Sequence, residues 1–271
     1  MAGPGERQAI AATKTPATVT SLTSDLRALG VRAGGVVIVH SSLSRLGWVA
    51  GGETAVVAAL RSVLGAGTLV MPTHSSELSE PSRWENPPVA ESWWPVIRAE
   101  TPAFDAVRTP TRSMGAVVEC FRHEPGVMRS DHPRHSFAAL GPHAPTIVAE
   151  HDLADSFGER SPLARCYELD AQVLLLGVGH ANNTSLHLAE TRARYAKRYV
   201  ANGSPVMRGG RREWVAYEEL DIDDSDFERL GTAFAATGAQ RDGAVGSGRG
   251  LLMAQRSVVD FAVSWMSTHR P

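Results

Sequence analysis

The chain has 271 residues, 43% of them hydrophobic, and a formal net charge of −2. That supplies core for one sizeable α/β domain or two small ones, and the near-neutral balance argues against a nucleic-acid binder, whose footprint is basic. No apolar run reaches the ~18 residues that span a bilayer, the first fifteen residues lack the apolar stretch of a signal peptide, and Cys120 and Cys166 lack Cys-x-x-Cys spacing, so a cytoplasmic protein with no membrane partner and reduced core thiols is expected.

Residues 1–15 read as a loose, flexible N-terminal arm, and 16–271 as a single domain. Thr18 to Leu29 is expected to be helical: Leu22, Leu26 and Leu29 recur at helical spacing, Ser21 or Thr23 offers a cap, and Gly30 stops it. Val36 to Val39 is a β-branched run and reads as a buried strand. His40-Ser41-Ser42-Leu43 then opens a loop that ends in Gly51-Gly52. Thr54 to Leu64 reads as helix and Thr68 to Met71 as a strand stopped by Pro72. Strand, helix, strand over 36–71 is a βαβ pattern, which implies parallel strands and an α/β class.

From Thr73 to Thr111 the periodicity fails. Four of the sixteen prolines fall between Pro81 and Pro95, among Trp84, Trp93 and Trp94. A loop of this kind, at about 75–104, is either a lid over a ligand site or a surface excursion tacked down by tryptophans. Further on, Met114 to Cys120 reads as helix, Val173 to Val178 as strand, and Leu186 onward as helix. Arg211 to Tyr217 is strand or loop, and Asp226 to Thr237 is helix. Leu251 to Val258 reads as a strand leading into a closing helix, Val259 to Met266.

Several stretches carry chemistry-bearing residues. In Gly-Val-Gly-His-Ala-Asn-Asn-Thr-Ser-Leu-His-Leu-Ala-Glu (177–190), two glycines end a strand and a polar turn supplies helix caps. His187 and Glu190 are three residues apart and share a helix face, with Thr184 one turn earlier. Such a pair is either a general base with its orienting carboxylate or a surface ion pair. His40-Ser41-Ser42 stands at a strand's carboxyl end, where open α/β sheets bind ligands. Gly47, Gly51 and Gly52 match neither GxGxxG nor GK[ST], which disfavours nicotinamide and nucleoside triphosphate chemistry. His132 and His135 could join a metal site only with a third ligand from elsewhere, such as His180, His187 or Glu190. No HExxH or cysteine-rich spacing accompanies them, and no metal is expected. Residues 218–228 hold seven carboxylates, either a solvated loop or an attractor for a polycation.

Taken in order, His40-Ser41-Ser42-Leu43 with Leu46-Gly47-Trp48-Val49, Gly67-Thr68-Leu69-Val70-Met71-Pro72, Thr109-Pro110 with Met114-Gly115, Arg129-Ser130-Asp131-His132-Pro133 with Ser136-Phe137, Ser161-Pro162-Leu163, and Asn183-Thr184-Ser185-Leu186-His187-Leu188-Ala189-Glu190 form a recognisable series. The series resembles the aminoglycoside 3-N-acetyltransferase (antibiotic N-acetyltransferase) family, from about Thr18 to Met266.

The resemblance implies a three-layer α/β/α domain with a mixed, largely parallel central sheet, unrelated to the GNAT acetyltransferase fold. It implies acetyl-coenzyme A as cosubstrate and a cationic aminoglycoside, acetylated at the 3-amino group of 2-deoxystreptamine, as acceptor. It assigns the base to His187 and its partner carboxylate to Glu190; the tetrahedral oxyanion of such a transfer needs a donor, and Thr184 or a backbone N–H at a helix N-terminus is a candidate. His40, Ser41, Ser42, Leu43, Val49, Thr109, Ser113, Met114 and Phe137 are the expected cofactor-binding residues. Asp105, Asp223 and Asp224 are the expected acceptor-binding residues, since the guest is a polycation. A monomer or homodimer is expected. An acetyltransferase for another amine, a non-catalytic aminoglycoside binder and a metal-assisted hydrolase stay open as alternatives.

Overall fold

The computed structural model of the chain describes residues 7, 9–11 and 13–271. Its elements in order are α1 (Val19–Leu29), β1 (Val36–Ser41), α2 (Gly52–Leu64), β2 (Thr68–Pro72), α3 (Trp94–Glu100), α4 (Ala116–Phe121), β3 (Met128–Arg129), β4 (Phe137–Leu140), α5 (Ala144–Val148), α6 (Pro162–Glu168), β5 (Gln172–Leu176), α7 (Ser185–Arg192), β6 (Tyr199–Arg208), β7 (Arg211–Leu220), α8 (Phe227–Ala235), β8 (Gln240–Val245), β9 (Gly248–Ala254) and α9 (Gln255–His269).

The three runs richest in aliphatic residues form the centre of the main sheet. Its order is β3-β4-β2-β1-β5-β9-β8. β1 pairs in parallel with β2 on one side and β5 on the other, Ile38 lying opposite Val70 and Val173. Antiparallel strands close both sides, β4 then β3 beyond β2, and β9 then β8 beyond β5. Strands β1, β2, β3, β5 and β8 therefore point one way and β4 and β9 the other.

Side chains alternate across this sheet, as a period of two requires. Val36, Ile38, Val173 and Leu175 enter one core with residues of α5 to α9. Val37, Val39, Leu174 and Leu176 enter the other with α1, α2 and α4. The result is three layers, helices on both faces of a mixed sheet. A second, two-stranded sheet, β6 with β7, stands apart from it.

Local signals explain several boundaries. α1 starts on a capping box in which Ser21 N–H donates to the Thr18 hydroxyl while Thr18 N–H donates to the Ser21 hydroxyl, so Thr18 is the cap and Ser21 its partner. Gly30 ends the helix at φ 106. Strand β1 runs on through His40 and Ser41, residues expected to open the loop. The expected loose arm falls partly on residues outside those described. Its described part is tied down: the Thr13 hydroxyl donates to the Ala9 carbonyl (2.6 Å) and accepts from Trp48 N–H (2.8 Å).

In the long loop, Arg129 is the fastener. Its guanidinium reaches the Thr73 hydroxyl and carbonyl, the Ser75 and Ser136 hydroxyls and the Ala106 and Thr109 carbonyls, and lies over the Phe104 ring. Burial lowers its pKa to about 10, still charged at neutral pH. No described helix is long and apolar enough to cross a membrane.

Candidate active site

The parallel strands β1, β2 and β5 all end at one edge, and the sheet order reverses about β1, which places a crevice at the carboxyl ends of these strands. Two adjoining clefts occupy it. The larger, about 680 Å³, is lined by Ser41 to Ser44, Gly47 to Val49, Ser113 to Ala116, Val178 and Asn182, among others. The smaller, about 220 Å³, shares Ser41, Ser113, Met114, Val178 and Asn182 with it and continues to His40, Pro72, His74, Thr184, His187 and Asp224. One continuous groove thus leads from Trp48 to His187.

Gly177 makes the close approach at this edge possible. It has φ 68, and a Cβ there would stand 2.6 Å from Cβ of Arg45. Ser113, which lines both clefts, is held at φ 59, a strained conformation for a residue with a side chain.

At the end of the groove, His187 Nδ1 lies 2.8 Å from Glu190 Oε2, one turn along α7. An ionised carboxylate only accepts, so Nδ1 carries the proton and Nε2 is the basic nitrogen. The imidazole stacks on Phe157 (centroids 4.8 Å apart) and meets Phe227 (4.9 Å), which fixes its plane. Glu190 is fully buried, and its other oxygen accepts from Arg270 (2.7 Å), Asp223 N–H (2.8 Å) and the Tyr195 hydroxyl (3.4 Å). Arg270 also forks onto Asp226 (2.7 and 3.0 Å) and donates to the Asp223 carbonyl.

His40 and His74 face the same cleft as neutral rings. Burial lowers the His40 pKa to about 3 and holds His74 well below its usual range. Among the described residues, Thr184 lines the cleft beside His187 with no hydrogen bond to its hydroxyl, and the Ser41 hydroxyl is buried without a partner. Both are donors free to serve a ligand's oxygen.

Of the expected cofactor residues, Ser41, Ser42, Leu43, Val49, Ser113 and Met114 line the larger cleft and His40 the smaller. Two do not line either. Phe137 is fully enclosed in the core of β4, beside His74, His151 and Phe157. Thr109 closes a turn, its hydroxyl accepting from Asp105 N–H and its carbonyl from Arg129.

The acceptor candidates separate in the same way. Asp105 is exposed and spends one carboxylate oxygen on the N–H groups of Val107 and Arg108 at 2.8 Å, so it builds the turn, and it lines neither cleft. Asp223 turns its carboxylate to Ser225 N–H (2.9 Å), while its backbone serves Glu190 and Arg270. Only Asp224 lines the cleft, and its carboxylate has no partner among the described residues.

Most of the acidic stretch is consumed internally. Glu219 pairs with Arg134, Asp221 with Arg83 and Arg198, and Asp226 with Arg270, while Glu228 accepts from Ala181 N–H. The Asp-His-Pro-Arg-His block is likewise structural. His132 Nδ1 accepts from the N–H groups of Arg134 (3.2 Å) and His135 (3.0 Å), and its Nε2 meets the Ser156 hydroxyl (3.0 Å). With both nitrogens occupied, His132 has no lone pair for a metal, and the described residues contain no group of three side chains placed to hold one.

Sequence reasoning missed Arg270, Phe157, Phe227 and His74, and counted Asp226 only as one carboxylate of the acidic stretch. Arg270 stands 80 residues from Glu190, beyond any local spacing rule.

Comparison with known proteins places this geometry among relatives. The family model described as aminoglycoside 3-N-acetyltransferase matches residues 38–267. The SPbeta prophage-derived aminoglycoside N(3')-acetyltransferase-like protein of Bacillus subtilis is 44% identical over 261 residues, 96% of each chain. The structure of AAC-IIIb in binary complex with CoASH superposes with a TM-score of 0.85 at 32% identity, over 94% of this chain and 98% of that one. The structure of AAC-VIa bound to sisomicin gives 0.84 at 32%, over 94% and 99%.

Proposed function

Since this chain belongs to the aminoglycoside 3-N-acetyltransferase family, we propose that it moves the acetyl group of acetyl-coenzyme A to the 3-amino group of an aminoglycoside's 2-deoxystreptamine ring, directly and with His187 as general base. The observation that carries the reading is the buried His187–Glu190 pair at the end of a groove open to solvent. A protein that only binds its ligand has no need of an oriented base.

The groove fits the cosubstrate. It is long, bordered by the Ser41–Ser44 and Ser113–Ala116 segments, and offers the orphaned Ser41 hydroxyl next to the His187 cleft. A thioester there supplies the activated acetyl group. The residues of this chain do the rest.

An aminoglycoside amine is mostly protonated at neutral pH, and its lone pair becomes available only as that proton leaves. His187 Nε2 takes it, Glu190 holds the ring and stabilises the imidazolium, and Thr184 or Ser41 donates to the developing oxyanion; as the carbon–nitrogen bond forms the thioester's carbon–sulfur bond breaks, and the departing coenzyme A thiolate takes up the imidazolium's proton. General base catalysis of this kind contributes about 10²–10⁴-fold.

What surrounds the base supports direct transfer. Among the described residues, no side-chain hydroxyl or thiol hydrogen-bonds His187. Cys166 is fully enclosed, with burial pushing its thiol pKa far up, and Cys120 packs against Thr54. Neither cysteine lines the groove.

The free carboxylate of Asp224 is the acceptor's anchor in this reading. The chain is expected to work as a cytoplasmic monomer or homodimer. The test is acetyl-coenzyme A with a panel of aminoglycosides, the product mapped by NMR and the protein weighed intact after exposure to acetyl-coenzyme A alone. A 3-N-acetyl product from an unmodified enzyme supports the reading. An acetyl group retained on the protein, or acetylation at another position, contradicts it.

A further inference from the structure

Three charges stand behind His187, and only the first belongs to the acetyl-transfer chemistry described above. Glu190 is fully buried, and the Arg270 side chain is 8% exposed. Asp226 is 15% exposed and grips Arg270 with both oxygens. The three come from different places: Glu190 from α7, Asp226 from the loop before α8, and Arg270 from the segment after α9.

The arrangement has a definite charge balance. Glu190 and Arg270 alone would sum to zero, and a proton arriving on His187 would leave the group with an uncompensated positive charge. Asp226 makes the trio net negative, so the imidazolium brings it to neutrality. Burial of the trio makes that balance matter, because pairs away from water are screened little.

We infer that Arg270 and Asp226 are positioning residues for catalysis: Arg270 keeps Glu190 ionised and aimed at His187 Nδ1, and Asp226 supplies the surplus negative charge that lets His187 hold a proton in mid-reaction. The inference rests on His187 being the base. It extends that reading by naming what sets the strength of the base.

Other groups face His187 as well. From β1 comes His40, from the loop after β2 His74, and from the turn before β4 His135, all three held neutral by burial. From the loop before α8 come Asp223 and Asp224. The neutral imidazoles carry no charge at working pH, and the Asp223 carboxylate is already turned to Ser225. Asp226 and Arg270 are therefore the groups whose removal shifts the balance without touching substrate.

The two substitutions act in opposite directions. Asp226→Asn keeps the shape of the Arg270 contact and removes one negative charge, so the imidazolium becomes less favourable. Arg270→Gln removes the positive charge and leaves the carboxylates of Glu190 and Asp226 unbalanced behind His187, so it becomes more favourable. A charge in contact moves a titration midpoint by about one pH unit or more; Arg270 and Asp226 stand behind Glu190, so the His187 midpoint is expected to move by ~0.5–1 pH unit, downward for Asp226→Asn and upward for Arg270→Gln.

The measurement is an NMR titration of the histidine ring signals of full-length protein, with His187→Gln used to assign its resonance, alongside the pH–rate profile of acetyl transfer. The proposal expects the His187 midpoint and the acid limb of the profile to shift together, in opposite directions for the two variants. A tail that merely fastens α9 would lower thermal stability in both and leave both midpoints at the wild-type value, and that result overturns the proposal. Should Arg270→Gln fail to fold, the Asp226→Asn midpoint alone decides. NMR shifts in a protein that acetylates no amine would uphold the charge cluster and sink the proposed function instead.

Discussion

Replacing Asp224 by Asn tests how the groove recognises a cation. Asp224 is the one member of the acidic run that lines the His187 cleft with an unpartnered carboxylate. An acceptor ammonium held ~4–5 Å from it gains about 1–2 kcal/mol at an effective dielectric of about 40–80. Exposure of the carboxylate reduces that to about 1 kcal/mol, roughly a five-fold change in affinity. Because the contact is made equally before and during transfer, it should appear in the acceptor KM and leave kcat unchanged. The assay is thiol release at saturating acetyl-coenzyme A across acceptor concentrations, at low and high salt. Asp224→Asn should raise the acceptor KM about five-fold at low salt, with the difference shrinking at high salt as screening replaces the lost charge. Asp223→Asn and Asp105→Asn, whose carboxylates hold turns, should change it less than about two-fold. An unchanged KM for Asp224→Asn, or an equal effect from Asp105→Asn, would refute the reasoning.

Three further outcomes follow from the same contacts. Glu190→Gln should lower kcat by about 10²–10³ and leave both KM values nearly unchanged, because Nδ1 loses its ionised partner while the groove keeps its lining; steady-state kinetics checks this. Phe137→Leu should destabilise the fold by about 1–2 kcal/mol in urea denaturation and leave the acetyl-coenzyme A KM untouched, as befits a core residue. The buried histidines should make the protein acid-sensitive: His40 is lowered to about 3, His151 to about 4, and His74, His132 and His135 well below their usual range, all chiefly by burial. Unfolding lets each take up a proton below its ordinary pKa, so this stability is complete above about pH 6.5 and is lost as pH falls, at up to ~1.4 kcal/mol per pH unit per histidine. A urea midpoint that stays level between pH 7.5 and 5 would contradict that.

The architecture was legible where one local rule decided it. Val36 to Val39, Thr68 to Met71 and Val173 to Leu176 are buried on both faces, and so are continuous apolar runs. Strands β6 and β8 were not, since their polar and exposed residues owe their conformation to pairing with β7 and β9. The closing helix starts at Gln255, ahead of its expected start, and the buried Gln255 amide donates to the Leu163 carbonyl.

Within the site, the His187–Glu190 pair was readable from helical spacing, and the cleft-lining serines from their place after a strand. Phe137 and Thr109 fall outside both clefts, since their neighbours in sequence belong to motif blocks while their own side chains serve the core and a turn. Asp105 and Asp223 show why counting acidic residues misleads: a carboxylate satisfied by backbone N–H groups offers little to a ligand. Arg270 and Asp226 become visible only when α9 is docked, since no spacing rule connects them to Glu190.

The most direct test of the account is coenzyme A release from acetyl-coenzyme A with an aminoglycoside acceptor, measured for the wild type and for His187→Ala. The account predicts turnover by the wild type and a fall of about 10²–10⁴-fold in the variant, with binding of acetyl-coenzyme A retained. Turnover that survives the substitution at a similar rate would place the base elsewhere and contradict it.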